Sequence, residues 1–167
     1  ADCPPFGSRN RTDWSDDESA SWQRNYAAGI QAQADHRLSE AIAAYEDAAR
    51  IDDGHAELAY RLAQVLNAAG RAQDARIWFM RARDSDTRRF RADSRINQII
   101  RDVAQRQQVR LIDVERNFLE AHADETLFLD HVHFTLDGTY RLAGLWFDEI
   151  ARTCPLGQKP SLAVCRE

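Results

Sequence analysis

The sequence predicts a mainly α chain, with two antiparallel helical hairpins followed by a helix–strand–helix–loop–helix segment. Three observations carry that fold class. Small and aromatic residues recur 34 positions apart between residues 22 and 89. An amphipathic stripe follows, with Ile96, Ile99, Ile100 and Val103 on one helical face. The period then shortens to two in "VRLIDV", residues 109–114.

Composition sets outer bounds. A chain of 167 residues suffices for one ordinary domain, or for a short repeat array with an extension. Its 44% hydrophobic and 29% charged residues are ordinary for a globular chain. No apolar run approaches the roughly 20 residues that cross a bilayer, so no membrane segment is expected in this chain. The opening "ADCPPFGSRN" lacks the apolar core of a signal peptide. Ala1 rather than Met fits a processed chain or a piece of a longer one. Any anchor or export signal of the full-length protein is then expected outside it, and the compartment stays open. A net charge of −5 argues against a nucleic-acid partner. "RRFRADSR" (Arg88, Arg89, Arg91, Arg95) is locally basic and is expected to pair with Asp84, Asp86 and Asp93.

The elements follow in order. Residues 1–20 read as an irregular, polar leader, with Ser19 or Ser21 to cap the first helix. Residues 21–91 hold two units, 22–55 and 56–89, each with two helical stretches. "DHR" and "AAGRA" turn the hairpins, and "DDGH" links the units. Gly29 recurs as Ala63, Ala41 as Ala75, Tyr45 as Phe79 and Ala48 as Ala82. Antiparallel helices approach closely only where small residues sit at the crossing, and the aromatic then fills the gap to the next helix. Gly70 stands in a turn, where positive φ is cheap for glycine.

This small/Ala/aromatic/Ala register resembles the tetratricopeptide repeat. The first unit departs from it, with Asn25 and Ala28 where the family has Trp and Leu. Asp53 and Thr87 stand at its usual proline. The resemblance implies a concave face that binds a peptide or protein. That face would carry Gln23, Tyr26, Ile30 and Gln33 from one unit, and Glu57, Tyr60, Gln64 and Asn67 from the other. The plainer reading is that these are solvated helix faces.

Two repeats bury little apolar surface by themselves. The helix within 92–108 is therefore expected to cap the second repeat with its isoleucine stripe. "VRLIDV" reads as a strand, "ERNFLEAHA" as a short helix and "ETLFLDHVHF" as an extended loop. A last helix starts near Thr135 or Asp137 and is expected to turn Tyr140, Ala143, Leu145, Trp146 and Ile150 to a core. Trp78 also reads as core, while Trp14 and Trp22 cover helix ends. A lone strand leaves backbone groups unpaired. Either two copies pair through 109–114 as a homodimer, or the rest of the sheet lies outside this chain. Residues 154–167 form a tail loop. Cys154 and Cys165 there are either a disulfide pair or free thiols.

Asp130 and His133 stand three apart, just ahead of that last helix. An acid beside a histidine can fix the imidazole's tautomer for general-base work. The arrangement resembles the last block of the SGNH (GDSL-like) hydrolases, and the resemblance spans 92–153, with Gly138 and Ala143 at the family's small positions. It implies an ester or acyl hydrolase that uses no cofactor, with Asp130 and His133 as two members of a Ser-His-Asp triad. The family's Gly-Asp-Ser nucleophile block and its oxyanion residues are missing, and Ser8 follows too few residues to replace them. The triad is then incomplete here and its serine lies outside this chain. Two rival readings stand. Asp130 bonds loop amides while His133 merely packs, or His131 and His133 join Asp130 around zinc, although no further ligand is evident. His36, His55 and His122 read as surface or turn residues.

Overall fold

The computed structural model describes residues 3–120 and 125–153. The chain divides into two compact units, Ala1–Gln98 and Ile99–Glu167. The tail, with Cys154 and Cys165, and His122 lie outside the described residues.

The first unit begins helical structure earlier than the leader reading allows. Helix α1 runs Asp16–Ala34, so the leader ends at Ser15. Ser15 is the cap, in place of Ser19 or Ser21. Its Oγ accepts from Glu18 N while the Glu18 carboxylate accepts from Ser15 N at 2.8 Å, a reciprocal capping box. Helices α2 (Leu38–Ile51), α3 (Ala56–Ala68) and α4 (Ala72–Asp84) complete two hairpins. Helices α1 and α2 pack together, as do α3 and α4, and α2 touches α3.

Their core is the predicted repeat set with a leucine layer added. Ala41, Tyr45, Ala48, Leu58, Leu62, Ala63 and Leu66 are fully buried. Gly29 lies against the Tyr45 ring, and a Cβ there would sit 2.5 Å from a ring carbon. Trp22 is buried in this core and does not cover a helix end, and Trp78 packs against it from the edge.

Both first helices end in the same motif. Arg37 N bonds Ala32 O and His36 N bonds Gln33 O; Arg71 N bonds Leu66 O and Gly70 N bonds Asn67 O. This 6→1 and 5→2 pairing places the residue between in left-handed backbone, with φ of 58° at His36 and 77° at Gly70. A side chain there costs about 1–2 kcal/mol, and glycine avoids that cost. His36→Gly is therefore expected to raise stability by about 1 kcal/mol. It should move the urea midpoint upward at unchanged slope.

After α4 the locally basic loop is only partly neutralised by its own carboxylates. Arg89 pairs with Asp93 at 2.9 Å. Asp84 is taken by Arg83, and Asp86 accepts main-chain N–H groups in place of a guanidinium. Asp93 also caps helix α5 (Ser94–Arg106), accepting from Ile96 N at 2.8 Å. Ile96, Ile99, Ile100 and Val103 of α5 are all exposed.

In the second unit the expected strand is absent, and the described residues contain no β-strand. Residues 109–113 are irregular and lead into helix α6, Val114–Glu120. The reason is Asp113, whose carboxylate accepts from Arg116 N at 3.0 Å and so starts a helix. Arg101 forks onto the same carboxylate at 2.6 and 3.2 Å and reaches Glu115 at 2.7 Å, which fixes that entry. Without a strand there is no edge, and the homodimer through 109–114 loses its basis. A short 3₁₀ turn, Glu125–Leu127, and helix α7, Leu136–Thr153, follow.

Helix α7 also departs from expectation. Tyr140, Ala143, Trp146 and Ile150 are exposed and Leu145 is half-buried. The helix meets its own unit through Gly138 and Arg141. An added Cβ at Gly138 would lie 2.2 Å from Leu127 O, and the Arg141 guanidinium sits 5.4 Å over Phe118. No described helix is long and apolar enough to cross a membrane.

Candidate functional site

Two groups of predicted residues can be built up from these elements, one in each unit. In the first unit, Gln23, Tyr26, Ile30 and Gln33 come from α1, and Glu57, Tyr60, Gln64 and Asn67 from α3. They differ in how free they are. Gln23, Ile30 and Asn67 are exposed, and the other five are half-buried. Tyr26 stacks on Trp22 at 4.8 Å and lies 5.7 Å from the His55 ring. Tyr60 meets Phe79 edge-on at 5.8 Å. Gln33 Oε1 accepts from the Tyr45 hydroxyl at 2.7 Å, so that amide is already committed.

Arg61 was not singled out in the sequence, yet it organises this face. It pairs with Glu57 at 2.8 Å. Burial pushes the Tyr45 phenol up to about 12, and the Arg61 guanidinium pulls the other way. Tyr26 is raised for the same reasons. Both phenols therefore stay protonated and serve as hydroxyl donors. His55, read as a surface or turn residue, caps α3 by accepting from Leu58 N at 3.1 Å. Burial lowers its proton affinity against the pull of Asp52 and Glu57. The neutral imidazole is the form that can accept that bond.

In the second unit the loop before α7 is folded back on itself. Phe128 and Phe134 form an isolated antiparallel bridge, with Leu129 N on His133 O at 2.8 Å and Thr135 N on Leu127 O at 3.0 Å. Phe118, Phe128 and Phe134 pack beneath it, at centroid distances of 6.4, 5.8 and 4.8 Å. Thr135 ties the ends, donating to Thr126 O and accepting from Gly138 N.

At the loop's tip Asp130 and His133 meet. Asp130 Oδ1 accepts from Val132 N and His133 N, each at 2.8 Å. Its other oxygen lies 2.7 Å from His133 Nδ1. The two backbone N–H groups, then the imidazole, hold this carboxyl well below the usual carboxylate range. An ionised Asp130 favours a proton on Nδ1, directed at its carboxylate. The His133 side chain is 72% exposed. Both the bonding to loop amides and the histidine contact are therefore made at once, and His133 does not pack inward. For zinc, the described residues gather no group of three or more His, Cys, Asp or Glu. Ser8 belongs to the first unit, where its Oγ accepts from Glu57 N at 2.7 Å.

Paired antiparallel helices, shifted by one 34-residue period and packed through small residues, define a helical-repeat segment. Residues 32–94, which hold α2, α3 and α4, match the family model described as Tetratricopeptide repeat, a repeat that suggests protein–protein interaction. No curated protein and no solved structure matches the chain.

Proposed function

We propose that the hairpin segment docks a peptide or protein partner on the face formed by α1 and α3. The observation that carries this is the tetratricopeptide-repeat match over 32–94. Gln23, Ile30, Gln64 and Asn67 offer amide and apolar contacts at the rim. Tyr26, Tyr60 and the Glu57–Arg61 pair form its floor, while Gln33 braces Tyr45. Peptides enriched from a random library on this chain should lose binding with Ile30→Asp or Asn67→Asp. Enriched peptides that bind both variants unchanged would place the docking surface elsewhere.

A second reading rests on the 2.7 Å contact between Asp130 and His133. We propose that this pair is the acid–base part of a Ser-His-Asp triad in a longer SGNH-type hydrolase acting on a carboxylic ester. Asp130 would orient His133, and Nε2 would take the proton of a serine outside this chain. The exposed Leu136, Tyr140, Phe147 and Ile150 of α7 support it, because they supply an apolar face that further protein would cover. A full-length protein should hydrolyse a short-chain nitrophenyl ester, and this chain alone should not. His133→Ala in the full-length protein should cut the rate by about a thousandfold or more. Full-length activity that survives that substitution rules the triad out.

A further inference from the structure

The segment ahead of α1 is irregular in sequence, yet it is held at fixed points. Asp52 and Asp86 are both about 5% exposed and follow the second helices of their hairpins, 34 residues apart. Each spends one oxygen on its own turn, accepting from Gly54 N at 3.0 Å and from Arg88 N at 2.9 Å respectively. The other oxygen takes the leader's main chain. Asp86 Oδ2 accepts from Phe6 N at 2.8 Å, and Asp52 Oδ2 accepts from Arg11 N at 2.9 Å. Gly7 N adds a third bond, to Asp86 Oδ1 at 3.1 Å, and Thr87 N returns one to Gly7 O at 3.0 Å. Between these anchors the Ser8 hydroxyl satisfies an open N–H in the first turn of α3.

We infer that the loop edge of the two hairpins is a second polypeptide-binding site, which grips a segment by its main-chain N–H groups and is filled by the chain's own residues 6–11. Two facts favour recognition over an incidental tail contact. The two receiving carboxylates occupy equivalent places in both hairpins, while the leader that meets them has no repeat of its own. The carboxylates themselves are met by backbone, and the side-chain additions are the Phe6 ring on Phe90 at 5.0 Å, the Ser8 hydroxyl on Glu57 N at 2.7 Å and Arg11 on Ile51 O at 3.0 Å. Charge-assisted bonds to buried carboxylates are strong, and they read any residue that has an N–H. Gly7 is the exception. A Cβ there would sit 2.4 Å from Thr87 Oγ1, so any side chain at that point would force Thr87 to shift and glycine is favoured.

The site makes two requirements testable on the full chain. Asn in place of either Asp turns an NH₂ toward one of the N–H donors, whichever way the amide is flipped. Trypsin cleavage after Arg9 and Arg11 should therefore quicken about tenfold in Asp52→Asn and in Asp86→Asn, and further in the double variant. Cleavage after Arg50, inside α2, should not change. Equal acceleration at all three bonds, or none after Arg9 and Arg11, overturns the site. In the second test the leader is released by combining Phe6→Pro with Gly7→Pro. That chain should bind a labelled peptide copying residues 3–13, but not the same peptide N-methylated at Phe6 and Gly7. Absence of binding to the first peptide, or equal binding of the two, overturns main-chain recognition.

Discussion

Tyr45→Ala is expected to remove about 3–5 kcal/mol, enough to unfold most of the first unit at moderate temperature. Tyr45 is 0% exposed and its ring lies against Gly29, so its removal opens a cavity that two well-packed helices cannot close. Its hydroxyl also leaves Gln33 without a donor. The effect divides by substitution. Tyr45→Phe keeps the ring and loses one hydrogen bond, for about 1 kcal/mol. Phe79→Ala, at the equivalent but half-buried place, is expected to cost less than Tyr45→Ala. Denaturant titration of the three variants checks the order. Equal losses for Tyr45→Ala and Tyr45→Phe would show that the ring's packing contributes nothing.

Gly138→Ala is the second large effect, and its sign runs against propensity. Alanine inside a helix ordinarily gains about 1 kcal/mol over glycine. Here the new Cβ would lie 2.2 Å from Leu127 O and 2.9 Å from the Phe134 ring. Leu127 O is held by Thr135 N, so the carbonyl cannot retreat without breaking the bridge that shapes the 129–133 loop. Overpacking of this kind costs about 1–3 kcal/mol, more than the propensity gain. The expected outcome is a loosened loop, with faster amide exchange at Val132 and His133 and loss of the His133 Nδ1–H resonance. Gly144→Ala is the control. It meets nothing within 4 Å in the same helix and should stabilise. Gly138→Ala with unchanged exchange at residues 132 and 133 would mean that α7 does not position the loop.

The hairpins were legible in the sequence because their constraint is periodic. Gly29, Ala41, Tyr45 and Ala48 each have a partner in the second hairpin, and two helices at close approach need those sizes there. Asp52 and Asp86 carry the same period, but an acidic pair at a helix end looks like ordinary solvated surface in the sequence. Ser15 was also readable, since Ser-Asp-Asp-Glu at 15–18 is a capping-box spacing. The strand at 109–114 failed on a competition of signals. Alternation favoured β structure, while Asp113 three residues before Arg116 favoured a helix start, and an isolated strand had no neighbour to tip the balance. For α7 the amphipathic pattern gave a true apolar stripe, but a pattern cannot say what covers it. The acid–base loop was legible as spacing alone. Its bridge, its aromatic support and the need for glycine at 138 arise from contacts between residues 118 and 141.

The leader's anchors work as a ruler. Phe6 and Gly7 answer to one hairpin and Arg11 to the other, so four to five residue steps of the leader span one step along the stack. A relative with a third hairpin stacked in the same way would need its N-terminal segment lengthened by that increment, with a glycine or small residue at the new close approach. Deleting one residue between Gly7 and Arg11 should therefore disturb both ends at once, because the spacing of the N–H groups would no longer match that of the two carboxylates.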